Sequence, residues 1–163
     1  MKVGIFIGSE SDYDIVKEAL VLLKEFDVSF DLRITSAHRT PERTVKLIEE
    51  MEKKGAILFI AVAGKAAHLA GVVASHTCLP VIGVPVGSSS LNGLDALLST
   101  VQMPKGVPVA TMGLDKSGAA NAALLAIEIL SVKEESLREK MKKYRKEMAV
   151  QIEKSSEKLK QKT

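Results

Sequence analysis

The 163-residue sequence has no tryptophan, one cysteine, five prolines, two tyrosines and four phenylalanines. A single cysteine, Cys78, excludes a disulfide framework and a multi-cysteine metal site, and it is compatible with a reducing compartment. The scarcity of aromatic side chains argues against nucleic-acid binding, which relies on base stacking. No apolar run approaches the roughly 18 residues of a membrane span or resembles a secretory signal. We therefore expect a cytoplasmic protein that binds neither nucleic acid nor a membrane.

Charge is distributed unevenly along the chain. The formal net charge is +3, but residues 133–163 carry eleven basic and six acidic side chains, so the remainder is slightly acidic. With 46% hydrophobic and 26% charged residues, the composition is that of a folded protein. The length fits one domain. We predict a single domain over residues 1–163, with an α/β core at 1–132 and a helical extension at 133–163.

Short apolar runs alternate with longer segments of helical periodicity. The predicted strands are residues 2–7, 28–34, 57–62, 81–86 and 107–111. The predicted helices are residues 12–26, 40–53, 66–76, 91–101 and 117–130. Thr40 before Pro41 predicts a helix start, and Gly55 predicts a helix end. Because strands joined by crossover helices lie parallel, the order predicts a three-layer α/β/α sandwich with a five-stranded parallel sheet, flavodoxin-like or Rossmann-like.

The last thirty residues have a different pattern. Apolar side chains recur at spacings of four, three, four and four within a charged background, which predicts a long amphipathic helix. They are Leu137, Met141, Tyr144, Met148 and Ile152. This helix has three possible placements: packed as a lid on its own domain, docked on a neighbouring subunit, or solvated.

Candidate chemistry lies in the loops that follow the strands, because open parallel sheets bind ligands at the carboxyl ends of their strands. After the first strand, Gly8-Ser9-Glu10-Ser11-Asp12 offers backbone N–H groups and a helix amino terminus to an anion. Helix capping by Ser11 or Asp12 is the alternative interpretation. The segment is neither a P-loop nor a dinucleotide fingerprint.

Two further loops carry histidines. In Ser36-Ala37-His38-Arg39-Thr40, the imidazole suits proton transfer and the guanidinium suits a phosphate, although a structural histidine is the alternative. In the segment from Ala63 to Leu69, small residues allow close backbone approach to a ligand, and His68 lies near a helix start; tight helix packing is the alternative. His76 and Cys78 fall in the opposite turns. The histidine spacing and the lack of accompanying carboxylates predict no metal site.

Several of these motifs, in this order, resemble one family. Gly-Ser-x-Ser-Asp, Ser-Ala-His-Arg-Thr-Pro, Ala-Ala-His-Leu, Leu-Asn-Gly-Leu-Asp and Val-Gln-Met-Pro, between about residues 3 and 130, are similar to the N5-carboxyaminoimidazole ribonucleotide mutases. The resemblance implies an isomerase of purine biosynthesis. It would move a carboxylate from the exocyclic nitrogen of a ribonucleotide to carbon 4 of its imidazole by decarboxylation and recarboxylation. It also implies that the enzyme uses no cofactor and forms a homo-octamer.

The resemblance also implies roles for individual residues. His38 would be the catalytic residue, Asp12 would contact the ribose, and Arg39 with the hydroxyls of Ser11 and Ser36 would hold the phosphate. The loop from Ala63 to Leu69, together with Ser9, would enclose the carboxylate. The remaining substrate-binding residues are thus Ser9, Ala37, Ala63, Gly64, Lys65, His68 and Leu69. Residues 88–92 and 102–104 resemble segments that cover the site.

One segment departs from the family pattern. Gly64-Lys65-Ala66-Ala67-His68-Leu69-Ala70-Gly71 has Lys65 and Ala70 where the usual mutase has glycine and proline. A basic residue at the Lys65 position is found in the related carboxylase branch, which uses free carbon dioxide and lacks this histidine. Two alternatives therefore stay open: that carboxylase, and, from another class, a non-catalytic flavodoxin-like nucleotide-binding module.

Overall fold

A computed structural model describes residues 2–160 of the chain. The strands are β1 (Lys2–Ile7), β2 (Ser29–Ile34), β3 (Ala56–Gly64), β4 (Val81–Val86) and β5 (Ala110–Thr111). The helices are α1 (Tyr13–Glu25), α2 (Pro41–Lys53), α3 (Leu69–Ser75), α4 (Leu94–Val101), α5 (Asp115–Ser131) and α6 (Glu135–Lys160), and a 3₁₀ turn at Glu10–Asp12 precedes α1. The chain forms two compact units, one up to Ala126 and one from Ile127 onward.

The five strands form one parallel sheet in the order β2-β1-β3-β4-β5. Ile5 on β1 pairs with Leu32 on β2 and with Ile60 on β3. This order is that of the flavodoxin-like fold, whose chain reverses direction between β1 and β3 and leaves a crevice there. The predicted fold class is therefore confirmed, and the crevice lies at the loops that the sequence singled out.

The core of the first unit is built from the apolar runs of the strands and the inner faces of the helices. Phe6 and Phe59 stack across β1 and β3 with ring centroids 5.5 Å apart. A Cβ at Gly4 would lie 2.4 Å from Cδ1 of Phe59, so only glycine admits that ring. Ile48 and Met51 of α2 join the same cluster. Full burial of each large side chain contributes roughly 1.5–3 kcal/mol to the free energy of unfolding.

Three predicted boundaries were wrong by three residues, each for a local backbone reason, whereas the other strand and helix bounds up to residue 131 agree within two residues. The fifth strand pairs only at Ala110 and Thr111, because Pro108 lacks an N–H to donate. Helix α3 begins at Leu69 because Lys65 turns the chain with φ 58°. Helix α4 begins at Leu94 because Asn92 and Gly93 have positive φ, which is incompatible with a right-handed helix.

The second unit contains the long carboxyl-terminal helix, α6, as predicted, and the last three residues of the predicted 133–163 extension lie outside the described residues. Burial changes along its apolar stripe: Leu137 and Met141 are buried, whereas Met148 and Ile152 are exposed. An ion pair joins Arg145 to Glu128 within the unit. No helix between residues 2 and 160 combines the length and the apolarity that a bilayer span requires.

Candidate active site

A cavity of about 500 Å³ opens at the carboxyl ends of the strands. Every residue that the sequence predicted for the site lines it. The lining residues are Gly8, Ser9, Ser11, Asp12, Ser36, Ala37, His38, Arg39, Ala63, Gly64, Lys65, Ala66, His68, Leu69 and Ser88. Gly8, Ala66 and Ser88 were not named individually as substrate-binding residues, and Ser88 belongs to a segment predicted to cover the site. The lining comes from four strand-to-helix loops, so the fold brings together residues that are up to 80 positions apart in the sequence.

The turn after β1 is a capping box that forms one wall of the cavity. Ser9 is the N-cap, and its hydroxyl accepts the N–H of Ser11 at 3.4 Å. The N–H of Ser9 donates in return to Oδ2 of Asp12 at 3.0 Å. The side-chain cap of this turn is thus Ser9, with Asp12 as its partner. Asp12 occupies the position before α1 as predicted, but its side chain does not cap that helix. The Ser11 hydroxyl donates to Ser9 Oγ at 3.0 Å and lies at the edge of the cavity.

The Asp12 carboxyl is the one buried charge among the described residues that line the cavity. Burial raises its pKa above the ordinary value, while the N–H groups of Ser9 and Gly8, the Ser11 hydroxyl and the Arg39 guanidinium act in the opposite direction. A carboxylate that already accepts several hydrogen bonds is held in one orientation. It can accept further hydrogen bonds from a ligand hydroxyl without reorganisation.

Threonine hydroxyls hold the loop after β2. Thr40 precedes α2 as predicted, but its side chain does not cap the helix. Its Oγ1 instead accepts the N–H of Ser36 at 3.0 Å and so closes the loop on itself. Thr35 and Thr44 pair beneath it with their hydroxyl oxygens 2.8 Å apart and fully buried. This buried network fixes the backbone that presents the next two side chains, His38 and Arg39.

Arg39 links two strand ends. Its Nη2 donates to the carbonyl of Gly8 at 3.1 Å, and its Nε donates to the Ser36 hydroxyl at 3.4 Å. The guanidinium therefore lies across the ends of β1 and β2 beside the Ser9–Ser11 turn. A guanidinium among serine hydroxyls is a site for a phosphate.

His38 and His68 are in direct contact, although 30 residues separate them. Nε2 of His38 lies 2.9 Å from Nδ1 of His68, and the rings meet edge-on with centroids 4.9 Å apart. One of these nitrogens must donate and the other accept, so at least one ring is neutral when the bond is made. Both rings line the cavity and are exposed to it. The pair can give a proton to a ligand or take one from it, and a proton can pass between the two rings.

The turn after β3 adopts a backbone conformation that is unusual for its sequence. Lys65 has φ 58°, a left-handed conformation that costs a residue with a Cβ about 1–2 kcal/mol. Within residues 2–160 its ammonium group has no hydrogen-bond or ion-pair partner. A cation held in a strained turn at a cavity wall is available to an anionic ligand.

His76 and Cys78 lie at the opposite end of the sheet, as predicted. His76 and Cys78 line a separate cavity of about 580 Å³ beneath the amino-terminal ends of the strands, together with Glu52 and Thr77. They are therefore not part of the site described above. Among residues 2–160, no group of three or more histidine, cysteine or carboxylate side chains is placed to hold a metal ion.

The chain is similar in sequence and in structure to known proteins of one family. A sequence model described as AIR carboxylase matches residues 2–151. The N5-carboxyaminoimidazole ribonucleotide mutase of Pyrococcus abyssi is 56% identical over 147 residues, which cover 90% of this chain and 83% of that protein. The protein of the same name from Methanocaldococcus jannaschii is 54% identical over 158 residues, 96% of each. The crystal structure of Treponema denticola PurE has a TM-score of 0.88 at 32% identity, covering 97% of this chain and 98% of that one. This chain belongs to the AIR carboxylase family.

Proposed function

We propose that this chain is an N5-carboxyaminoimidazole ribonucleotide mutase, an isomerase of purine biosynthesis. The observation that carries the proposal is the convergence of the His38–His68 pair with Arg39 and the Ser9–Asp12 turn on one cavity of about 500 Å³. That volume suits one small ligand such as a mononucleotide. The relatives from Pyrococcus abyssi and Methanocaldococcus jannaschii bear that name.

The phosphate end of the ribonucleotide binds at β1 and β2 in this proposal. Arg39 and the hydroxyls of Ser11 and Ser36 contact the phosphate, and Asp12 accepts hydrogen bonds from the ribose hydroxyls. Ser9 and Ala37 line the space between. The support is the observed geometry: a guanidinium beside a serine-rich turn, and a buried carboxylate next to it.

The imidazole end faces the histidines and the segment from Ala63 to Leu69. His38 gives a proton to the exocyclic nitrogen as the carbon–nitrogen bond of the carbamate breaks and carbon dioxide is released. Carbon 4 then attacks the confined carbon dioxide, and His38 recovers its proton from carbon 4. Protons and electrons balance over the cycle. Holding carbon dioxide beside its nucleophile replaces a bimolecular encounter, which is worth several kcal/mol. No cofactor enters this scheme.

The proposal includes a cytoplasmic homo-octamer. Exposed apolar side chains recur on one face of α4 and the turn before it, at spacings of three, four and three: Leu91, Leu94, Leu98 and Val101 are 60%, 55%, 47% and 48% exposed. A monomer rarely exposes such a stripe to water. We name these four residues the α4 face and assign it to contact with another copy, together with the exposed half of the α6 stripe.

One kinetic experiment tests the proposal. Purified protein receives either the N-carboxylated ribonucleotide or the unmodified aminoimidazole ribonucleotide with bicarbonate, and the carbon-carboxylated product is measured at low bicarbonate. The proposal expects product from the first substrate and little from the second. Absence of product from both, with absorbance near 450 nm from a bound flavin, would favour the non-catalytic module.

Lys65 is the observation that favours the carboxylase as the second candidate. A cation at the carboxylate end of the cavity suits capture of carbon dioxide as well as transfer of a carboxylate. Efficient product formation from the unmodified ribonucleotide, rising with bicarbonate, would assign the protein to that reaction. His68, which the carboxylase branch lacks, favours the mutase, and this experiment separates the two reactions directly.

A further inference from the structure

We propose that Ser88 is a substrate-contacting residue at the carboxylate end of the cavity and that Asp115 positions it. The inference rests on the proposed function and adds two residues to it. Neither residue belongs to the histidine or arginine loops, and both come from the far side of the sheet, after β4 and β5.

Ser88 is placed against the end of β3. It lines the cavity, and a Cβ at Gly64 would lie 2.3 Å from Ser88 Oγ, so the hydroxyl occupies space that only a glycine leaves open. Within the described residues the hydroxyl has no hydrogen-bond partner. Ser89 differs: its Oγ donates to Asp95 Oδ1 at 2.7 Å and accepts the N–H of Leu91. Ser89 holds the loop, and Ser88 is free to donate to a ligand.

Asp115 fastens the start of the same loop from the neighbouring one. Its Oδ1 accepts the N–H of Gly87 at 2.8 Å, and a Cβ at Gly87 would lie 3.0 Å from its other carboxylate oxygen. Asp115 adopts φ 58° at the first residue of α5, a conformation that costs a residue with a Cβ free energy. The hydrogen bond to Gly87 offsets that cost and fixes the peptide that carries Ser88.

Glycine contacts close the loop at its other end. A Cβ at Gly93 would lie 2.9 Å from Cα of Gly87 and 2.6 Å from Cδ2 of Leu114. The two ends of the 87–93 loop therefore touch each other and the chain leading to Asp115. The hydrogen bond from Gly87 to Asp115 and these glycine contacts fix the loop backbone. The backbone in turn fixes the position of Ser88.

The sheet order shows which part of the substrate Ser88 meets. The residues proposed to bind the phosphate lie at the ends of β1 and β2. Ser88 follows β4, which is two strands beyond β1 in the sheet. With strands about 4.8 Å apart, Ser88 lies roughly 10–14 Å from the phosphate end, about the length of a mononucleotide. The group there is the imidazole with its carboxylate. The Ser88 hydroxyl therefore donates to a carboxylate oxygen beside Lys65.

Paired binding measurements test the inference. Titration calorimetry compares 4-carboxyaminoimidazole ribonucleotide with the uncarboxylated aminoimidazole ribonucleotide. Ser88→Ala is expected to weaken the affinity for the carboxylated ligand about tenfold, because a hydrogen bond to a charged group is lost. The affinity for the uncarboxylated ligand should change less than twofold. Asp115→Ala is expected to reproduce this selective loss. Asp115→Asn keeps an oxygen for the Gly87 N–H and should bind nearly as the parent does.

A double variant and a control at the neighbouring serine, Ser89, complete the test. If Asp115 acts through Ser88, the Ser88→Ala, Asp115→Ala double variant binds no more weakly than Ser88→Ala alone. Ser89→Ala, in the same loop but facing Asp95, should lower the melting temperature without changing the ratio of the two affinities. The inference would be overturned if Ser88→Ala left the ratio of the two affinities unchanged, including the case in which both affinities fall equally. The proposed function would still stand. A parent protein that binds neither ribonucleotide would instead overturn both.

Discussion

At the scale of single residues, the site depends on side chains whose chemistry is evident from the sequence but whose partners are not. His38 has a hydrogen-bonding nitrogen 2.9 Å from His68. We expect His38→Asn to reduce the interconversion of the two carboxylated ribonucleotides by at least about 10²-fold, the lower range for loss of a general acid–base group. Binding of the ribonucleotide should change little, because Arg39 and Ser36 are untouched. Steady-state and single-turnover kinetics measure both.

The matched control is His76→Asn, at the opposite end of the sheet. It removes the same functional group outside the cavity and should turn over as the parent does. Near-normal turnover in His38→Asn would remove His38 from the proposed mechanism, whatever the control does.

The buried Asp12 carboxyl makes a prediction about stability and pH. Its pKa is raised in the folded state, mainly by burial, so the folded protein holds this proton to higher pH than the unfolded chain does. The contribution of Asp12 to the free energy of unfolding therefore falls as pH rises from about 4 through the raised value. Urea unfolding of the parent and of Asp12→Asn at several pH values should show a difference, variant minus parent, that grows with pH and then levels off.

Asp14→Asn provides the comparison, since it removes an exposed carboxyl two positions away on α1. A stability difference between Asp12→Asn and the parent that shrinks with rising pH would contradict the assigned direction. Substrate binding by Asp12→Asn should weaken even where the fold is more stable. A site residue that costs stability contributes to ligand binding instead.

At the scale of the elements, most of the prediction came from periodicity and most of the error from turns. The apolar runs of β1 and β4 were predicted with their observed bounds, because continuous burial on both faces leaves a clear pattern. Helices α3 and α4 begin three residues later than predicted. Their starts depend on φ at Lys65, Asn92 and Gly93, and a non-glycine residue at positive φ has no reliable sequence signal.

The Lys65 turn yields a prediction at this scale. Lys65→Gly is expected to raise the free energy of unfolding by about 0.5–1 kcal/mol, since relief of the left-handed strain exceeds the added freedom of the unfolded chain. It should also weaken binding of the carboxylated ribonucleotide. Chemical denaturation and titration calorimetry measure the two effects. Lys65→Ala keeps the Cβ and loses the ammonium group, so it should share the binding loss without the gain in stability. Equal stability of both variants and the parent would contradict the strain argument.

At the scale of the whole molecule, assembly follows from apolar surface that one chain leaves uncovered. Leu98→Asp places a charge in the α4 face and should dissociate the proposed octamer, because an unpaired buried charge costs several kcal/mol in each contact. Sedimentation velocity measures the change. Val21→Asp, on an exposed valine of α1 outside the α4 face, is the matched variant and should remain assembled. An unchanged sedimentation coefficient for Leu98→Asp would remove the α4 face from the interface.

The sequence by itself determined the class of fold, the succession of strands and helices, the long terminal helix and the loops that carry chemistry. These are local properties, because periodicity, capping and small-residue turns are written over a few neighbouring positions. Only the tertiary structure decided that His38 meets His68, that Arg39 reaches Gly8, and that Asp115 holds the loop that brings Ser88 into the cavity wall. The reason is the strand order: β3 inserts beside β1, and this non-local pairing brings four distant loops to one edge of the sheet.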